Sequence, residues 1–249
     1  MTSRSGPADA AARAGGSGST RSSEPRRRNR RGSGEQLRAE IVTAARDLLA
    51  KAGNADAVSI RQVAEAVGVT SPSIYLHFAD KDALLDAVVI DVFAELDAAM
   101  IAAAEGVEHP LDRLAAYGMA YIHFGVDHPE HYRIATMDPC HQPDSGVDAA
   151  LQTSAFDHLR SAVVDCMRAG IFRDGDPVPV TLDLWAAAHG IASLLITKPY
   201  LPWGDLETVA TRALCVAAMG QSVWGLFDNA EPETPVYESW LARQWREMR

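Results

Sequence analysis

Apolar residues recur with helical spacing along the chain from residue 35 onward. The first predicted helix places five of them on one face: Ile41, Ala44, Ala45, Leu48 and Leu49. Gly53 and Asn54 are expected to end this helix. A longer helix is predicted to start after Asp80, and residues 83 to 228 continue the helical, apolar pattern. The pattern therefore predicts an all-α protein.

The segment SIRQVAEAVGVTSPSIYLHFADKDALL, residues 59–85, predicts two short helices around a tight turn. Ser59 and Gln62 have the spacing of a capping box at the start of the first helix. Gly68 suits the left-handed residue that ends it, and Thr70 is expected to cap the second helix. Two helices joined by a short turn and packed on a preceding helix have the layout of a helix-turn-helix, although such a corner can also be purely structural.

The outward side chains of the second short helix suit contacts with DNA. They are predicted to be Ser71, Pro72, Ser73, Tyr75, Leu76 and His77. Hydroxyls and an imidazole can donate hydrogen bonds to phosphate oxygens, and apolar groups can touch a thymine methyl. Arg61, early in the first short helix, is the residue that can donate two hydrogen bonds to one guanine.

This segment resembles the N-terminal signature of the TetR family of transcriptional regulators. The shared features are a hydroxyl-capped helix with an Ala-Glu pair, then Gly-Val, a hydroxyl cap, an Ile-Tyr pair, His-Phe and a lysine opening the next helix. The resemblance implies phosphate contacts from Ser59, Thr70, Ser73, Tyr75, His77 and Lys81. It implies base-edge contacts from Arg61, Ser71, Pro72 and Leu76. Leu76 departs from the bulky aromatic or polar residue often found at its position.

A second, shorter resemblance lies in the segment TLDLWAAAHGIASLLITKPY. Its Trp185, His189 and Gly190 resemble a Trp-His-Gly signature of one C-terminal subclass of the same regulators. The family has a ligand cavity between such helices and dimerises through its last two long helices. The resemblance implies that these are residues 181–197 and 205–226 here, and the second contains many small residues that permit close helix approach.

Aromatic, thioether and imidazole side chains in the predicted ligand-binding region suit a mostly apolar pocket. The candidates are Tyr117, Tyr121, Phe124, Met137, Phe156, Met167, Trp185 and His189. Each of them is also the kind of residue that simply fills a hydrophobic core, and the sequence leaves both readings open. The expected ligand is a small, largely apolar molecule.

Charge is distributed unevenly along the 249 residues, whose net charge is −10. Residues 1–34 contain eight arginines against Asp9 and Glu24, and almost no large apolar residues, so we expect a disordered basic arm. The rest of the chain is acidic and would repel DNA, except through a local basic surface or the arm. No apolar run or signal-peptide pattern is found, which predicts a cytoplasmic protein.

Other kinds of site receive little support from the sequence. Cys140, Cys166 and Cys215 are widely spaced, which argues against a disulfide framework. His128 and His131, with Cys140 and His141 nearby, have a metal-like content but not a metal-binding spacing. We therefore predict no metal, no cofactor and no enzyme activity. An enzyme using the Cys140-His141 loop remains a rival hypothesis.

Four regions follow from these patterns. They are a basic arm (1–34), a helix-turn-helix domain (35–82), a helical ligand-binding and dimerisation domain (83–228) and an amphipathic helical extension (229–249). The predicted apolar face of the extension comprises Val236, Trp240, Leu241, Gln244 or Trp245, and Met248. The predicted function is a homodimeric regulator, taken as a repressor, that binds a palindromic operator and is released by a small effector. A helical ligand-binding protein without sequence-specific DNA binding is the alternative.

Overall fold

The structure is a computed structural model that describes residues 33–54, 56–136, 147, 155–227 and 233–248. In these ranges all regular structure is helical, which confirms the all-α prediction. The helices are α1 (Ser33–Ala52), α2 (Ile60–Val67), α3 (Ser71–Tyr75), α4 (Lys81–Ala104), α5 (Pro110–Asp127), α6 (Pro129–Thr136), α7 (Ala155–Arg168), α8 (Pro177–Thr197), α9 (Leu206–Gly225) and α10 (Thr234–Glu247).

The first helices pack around a common centre, which we call the N-terminal core. Ile41 of α1 and Ile74 of α3 are fully buried there, together with the first turns of α4. Arg46 of α1 also pairs with Asp91 and Glu95 on α4, its Nη1 lying 2.9 Å from Asp91 Oδ2. The apolar contacts and this ion pair hold α1 against α4.

α1 begins earlier than its apolar pattern indicates. The helix starts at Ser33, so Ser33 and Gly34 belong to it and not to the predicted arm. The apolar period begins only at the first buried turn, and it carries no signal for the exposed turn that precedes it. Residues 1–32, which contain the predicted arginine-rich arm, lie outside the described residues.

Three caps are predicted for α2 and α3, at Ser59, Gly68 and Thr70, and the first two have the predicted geometry. Ser59 and Gln62 form the capping box, and Gly68 ends α2 with a φ of 76°, in the left-handed region where glycine has no steric penalty. Thr70 stands at the N-cap of α3 but makes no side-chain bond to a backbone amide. Its hydroxyl instead lies 3.0 Å from that of Ser73, so the expected Thr70 cap is wrong in its hydrogen bonding.

α4 runs through both hydrophobic cores. Its first part contributes Leu84, Ala87 and Val88 to the N-terminal core. Its later part contributes Val92, Phe93, Leu96 and Met100 to a second cluster, the C-terminal core, which is formed mainly with α5, α7 and α8. The predicted boundary between residues 82 and 83 therefore falls within the first turn of a helix that both cores share.

α6 is a short helix that also contacts both cores. Its Tyr132 is completely buried in the C-terminal core, while Ile134, two residues later, packs against the N-terminal core. The helix follows a break at His128, where α5 ends and Pro129 opens the new helix. α6 thus joins the two halves of the molecule through its opposite faces.

α8 and α9 expose an unusual amount of apolar surface. Among the twenty residues of α9, Ala210 alone is fully buried. The large exposed apolar side chains on the two helices are Val178, Leu182 and Leu194 of α8, and Val216, Met219 and Trp224 of α9. α8 is long and apolar enough to cross a membrane by length and composition. Its Leu184, Ala188 and Ala192 are buried in the C-terminal core.

The C-terminal helix α10 is attached through an aromatic cluster. The rings of Phe227 and Trp240 are 5.7 Å apart, and Tyr237 stacks on Trp240 at 6.3 Å. No residue of α10 is fully buried, and Trp245 remains 62% exposed. The helix therefore contacts Phe227, just after α9, through Tyr237 and through Trp240 of its predicted apolar face.

Candidate DNA-binding surface and internal cavity

α3 divides its side chains between the N-terminal core and solvent. Ile74 is buried and Phe78, just after the helix, is 4% exposed, whereas Tyr75 and Leu76 are 53% and 84% exposed. Two large side chains therefore stand in solvent, next to one another in sequence, at the outer end of this short helix. The short helix thus presents a mixed polar and apolar surface to the outside.

The ten predicted DNA-binding residues all lie in the α2–α3 unit or in the first turn of α4. Those exposed are Ser59, Arg61, Thr70, Pro72, Tyr75 and Leu76. Those half-buried are Ser71, Ser73, His77 and Lys81. The hydroxyl of Ser59 is committed to the capping box, since its Oγ lies 3.3 Å from the Gln62 backbone nitrogen. Among the ten predicted residues, the Ser59 hydroxyl is therefore the least free to donate a hydrogen bond to a phosphate.

Arg61 makes an ion pair along α2. Its Nε lies 3.0 Å from Oε1 of Glu65, and the two side chains are 84% and 64% exposed. Exposed pairs of this kind contribute at most about 1 kcal/mol. Arg61 can therefore leave Glu65 for a base edge at little energetic cost.

Arg38 of α1 is a cationic side chain next to this surface that the sequence pattern did not single out. Its guanidinium carbon lies 4.9 Å from the centre of the Phe78 ring, in a cation–π contact. Arg38 remains exposed, so its positive charge stands beside the segment that follows α3. A lone arginine on the polar face of a helix gives no such signal in sequence, because the contact joins residues forty positions apart.

An internal cavity of about 410 Å³ lies in the C-terminal half. Its size is in the range of small-molecule sites, and its walls come from α4, α5, α7, α8 and α9. Most of the lining side chains are aliphatic or aromatic, among them Met100, Leu111, Leu114, Leu159, Leu184 and Leu214.

Four of the predicted pocket residues line this cavity: Tyr117, Tyr121, Phe156 and Trp185. Phe124 and Met167 do not line it and are buried in the C-terminal core. His189 is also absent from the lining, although its ring lies 6.2 Å from that of Trp185. Met137 lies outside the described residues.

Tyr121 of the cavity wall and two side chains behind it form a hydrogen-bonded group, which we call the Tyr-Tyr-His triad. It consists of Tyr121 on α5, Tyr132 on α6 and His189 on α8. His189 Nδ1 is 2.7 Å from the Tyr132 hydroxyl and 3.1 Å from the Tyr121 hydroxyl, and the two hydroxyls are 3.2 Å apart. Sequence reasoning missed Tyr132, which carries no local signal because its partner is 57 residues away.

Burial sets the protonation of the triad. It lowers the pKa of His189, which favours the neutral imidazole. It raises the pKa of Tyr121, and hydrogen bonds from Tyr132 and Trp185 oppose this in part. Burial likewise raises the pKa of Tyr132, an effect that the neighbouring Tyr121 reinforces. The triad is therefore uncharged at neutral pH.

Within the described part of the chain, no group of three or more histidine, cysteine, aspartate or glutamate side chains can hold a metal ion. The rings of His128 and His131 stack at 5.9 Å, but Cys140, His141 and Asp144 lie outside the described residues. Cys166 is buried, which raises the pKa of its thiol to about 11, with Asp165 reinforcing the effect. Cys215 is exposed on α9.

Comparison with known proteins identifies both halves of the chain. A family model described as "Bacterial regulatory proteins, tetR family" matches residues 41–88. A second, described as "Tetracyclin repressor-like, C-terminal domain", matches residues 114–219. Together they cover more than half of the sequence, and they contain the α2–α3 unit and most of the cavity wall.

Individual relatives agree with these matches. The tetracycline repressor protein class A from transposon 1721 of Escherichia coli is 44% identical to this chain over 55 aligned residues. The alignment covers 22% of this chain and 25% of that protein, about a quarter of the repressor. A Rhodococcus sp. RHA1 structure described as a protein with unknown function is 31% identical, with a TM-score of 0.65, and the alignment covers 75% of this chain and 95% of that one. The structure of RolR in complex with resorcinol is 18% identical, with a TM-score of 0.58 and coverage of 82% and 97%, which shows a shared fold. The chain belongs to the TetR family, whose members are ligand-responsive DNA-binding regulators of transcription.

Proposed function

We propose that this protein is a homodimeric repressor that binds a palindromic DNA operator through α3 and is released by a small, largely apolar molecule in the internal cavity. The observation that carries the proposal is the outward face of α3, where Tyr75 and Leu76 are exposed while Ile74 anchors the helix in the N-terminal core. In this account, residues 35–82 form the DNA-binding domain and residues 83–228 the ligand-binding and dimerisation domain. Residues 229–249 form an extension whose described helix, α10, contacts Phe227 just after α9.

DNA affinity in this proposal comes from local contacts and not from the charge of the whole chain. Hydroxyl and imidazole groups around α3 donate hydrogen bonds to phosphates, and Arg61 reads a base edge. Arg38 and Lys81 supply positive charge at the rim of the surface. The eight arginines of the N-terminal arm provide further phosphate or minor-groove contacts, which offset repulsion by the acidic body.

Homodimerisation is inferred from α8 and α9. A face that exposes Val216, Met219 and Trp224 is costly to leave in water, and a second copy of the same face covers it symmetrically. At Gly220 an added Cβ would meet nothing within 4 Å, so this part of α9 is open to close approach by another helix. A two-fold dimer presents two α3 helices, one to each half of a palindrome.

The proposed ligand controls DNA binding through α6. Tyr132 of this helix is a member of the triad beside the cavity, hydrogen-bonded to His189, and Ile134 packs on the N-terminal core. A ligand that favours one position of the triad over another therefore changes the packing of α6 against the DNA-binding domain. Its effect is limited to its difference in affinity for the two states, and a few kcal/mol suffices. The similar structure of RolR with resorcinol shows that this fold holds a small aromatic molecule in that protein.

In vitro transcription tests the repressor role. A duplex that the protein selects from a random pool is placed across a promoter, and a second template carries a scrambled version as control. We expect transcription from the first template to fall as protein is added, while the scrambled template stays active. Increased transcription from the selected template, or equal effects on both, would contradict the proposal.

A further inference from the structure

The wall of the cavity reaches the protein surface along two helices that pack on each other, α5 and α9. Three lining residues of α9 are exposed, Thr211, Cys215 and Met219, and so are Asp112 and Ala115 of α5. The three on α9 are four positions apart, so they form one stripe along the side of the helix. The cavity is therefore open to water between these helices, and we call the five exposed residues the rim.

The rim adjoins the exposed apolar face of α9. Met219 belongs to both, because it lines the cavity and is also 67% exposed on that face. Val216 directly follows Cys215 of the rim, and Gly220, where an added Cβ would meet nothing within 4 Å, directly follows Met219. The opening of the cavity is thus continuous with the face that the proposed dimer covers.

A ligand that fills the cavity of one chain would still touch water at the rim. The deeper wall encloses it with buried apolar residues such as Met100, Leu159 and Leu184. Among the described residues none covers the rim, since all five of its members are exposed. The free energy of burying an apolar molecule grows with the apolar area removed from water, so closing this opening would strengthen binding.

We infer that the ligand site is completed by the partner subunit, whose apolar face covers the rim in the dimer. The inference rests on the dimer of the proposed function and goes beyond it, because it makes dimerisation part of the ligand site. In a two-fold dimer each chain covers the rim of the other, which gives two closed sites. Ligand binding and dimerisation then strengthen each other, since the coupling between two binding equilibria is reciprocal.

A neutral apolar dye tests this inference on the full-length protein without DNA. N-Phenyl-1-naphthylamine carries no charge and fluoresces strongly only in apolar surroundings. It is titrated into the parent, into Val216→Glu and into Leu182→Glu, which disrupt the proposed dimer face from α9 and from α8. Neither residue lines the cavity. Ile101→Glu, at an exposed position of α4, is the matched control, and light scattering gives the mass of each protein.

The dye should bind the parent and Ile101→Glu with equal affinity. It should bind both monomeric variants about tenfold more weakly, the effect of leaving roughly two methylene groups in water. Dye on the exposed apolar face is separated from dye in the cavity by two further variants, Ala218→Phe and Ala188→Phe, which place a ring at the cavity wall from α9 and from α8. Only the fluorescence that these rings remove is counted.

Dimer dissociation gives an independent measurement of the same coupling. Sedimentation of the parent at decreasing concentration gives the dissociation constant of the dimer with and without saturating dye. Because the dimer has two sites, a tenfold effect at each should lower this constant by about a hundredfold. Val216→Ala, which trims the face without adding a charge, repeats the comparison on a weaker dimer.

The outcomes separate this inference from the proposed function. Equal dye affinity of a dimeric parent and its monomeric variants, or a dimer dissociation constant that the dye leaves unchanged, would overturn the inference and leave the dimer intact. A parent that is monomeric at every concentration would instead overturn the proposed dimer. A dimeric parent without cavity-bound dye would contradict an apolar ligand site and, with it, the inference.

Discussion

The hydroxyl of Tyr132 lies 2.7 Å from Nδ1 of His189, and this contact joins α6 to α8 in the interior of the protein. Tyr132 is completely buried, and its ring stacks on that of His189 at 5.7 Å. Through this contact, the group beside the cavity is joined to α6, a short helix that packs on both cores and so links that group to the N-terminal core.

Tyr132→Phe should lower the free energy of unfolding by about 1–2 kcal/mol, because it removes a buried hydroxyl that hydrogen-bonds to His189 and Tyr121. Tyr121, 3.1 Å from Nδ1 of His189, can take over part of the bond and limits the loss. Urea denaturation measures the change, with Tyr200→Phe as the exposed control. Equal stability of Tyr132→Phe and the parent would show that the contact does not stabilise the fold.

The stability of the protein should decrease as the pH falls below about 6.5, the ordinary pKa of histidine. Burial lowers the pKa of His189 in the folded state, so the unfolded state binds the proton more tightly. The contribution of the neutral ring is therefore complete above the unfolded pKa and is lost as pH falls through the folded pKa. His131 has the same sign, since burial and Arg46 lower its pKa.

Denaturation curves at pH 7 and pH 5 check this dependence. His189→Gln should reduce the difference between the two pH values, and His131→Gln should reduce it independently. An unchanged difference in the His189 variant would mean that His189 does not titrate differently in the two states.

Tyr75→Phe and Lys81→Ala should weaken binding to all duplexes by similar factors, since both residues are assigned to phosphates. The lysine variant should also reduce the slope of log affinity against log salt concentration by about one. Fluorescence anisotropy with a selected and a scrambled duplex measures both effects, and Arg168→Ala, on the distant α7, serves as control. Unchanged affinity of Tyr75→Phe for every duplex would refute its phosphate contact.

Arg61→Ala should instead relax the preference at one base position, by about 1–3 kcal/mol of discrimination. The lost ion pair with Glu65 is exposed and should leave the stability nearly unchanged. Competition with single-base variants of the selected duplex measures the preference. A uniform loss across all of them would reassign Arg61 to the phosphate backbone.

Val216→Glu should convert the dimer into a monomer, because it places a charge in the middle of the exposed apolar face of α9, where Val216 is 62% exposed. Ile101→Glu on α4, at 49% exposure, is the matched control outside that face. Light scattering after size-exclusion chromatography gives the mass. A parent protein that is itself monomeric, or a Val216→Glu variant that stays dimeric, would contradict the assigned interface.

The short-range features of the fold were predictable from the sequence. The caps at Ser59 and Asp80 and the glycine turn at Gly68 depend on residues within three or four positions of one another, so their spacing determines their geometry. Thr70 shows the limit of this reasoning, because two hydroxyls close together can bond to each other instead of to the backbone.

The cavity was predictable only in part. Tyr121 and Phe124 lie three residues apart on α5 and are equally typical of a pocket or a core, and which of them faces the cavity depends on how α7, α8 and α9 pack around the helix. The same holds for the contact of Tyr132 with His189 and for Arg38 over Phe78, which join distant segments. Helical periodicity identifies buried faces but not the partners that meet there.

Selection of duplexes from a random pool by the full-length protein, at about physiological salt, tests the central claim most directly. At this salt the sequence-independent attraction to phosphates is weakened, so enrichment reports base recognition. The account predicts a motif with two-fold symmetry whose half-sites lie about one helical turn apart. A folded protein that enriches no motif, or one without internal symmetry, would contradict a dimeric regulator that reads its operator through α3.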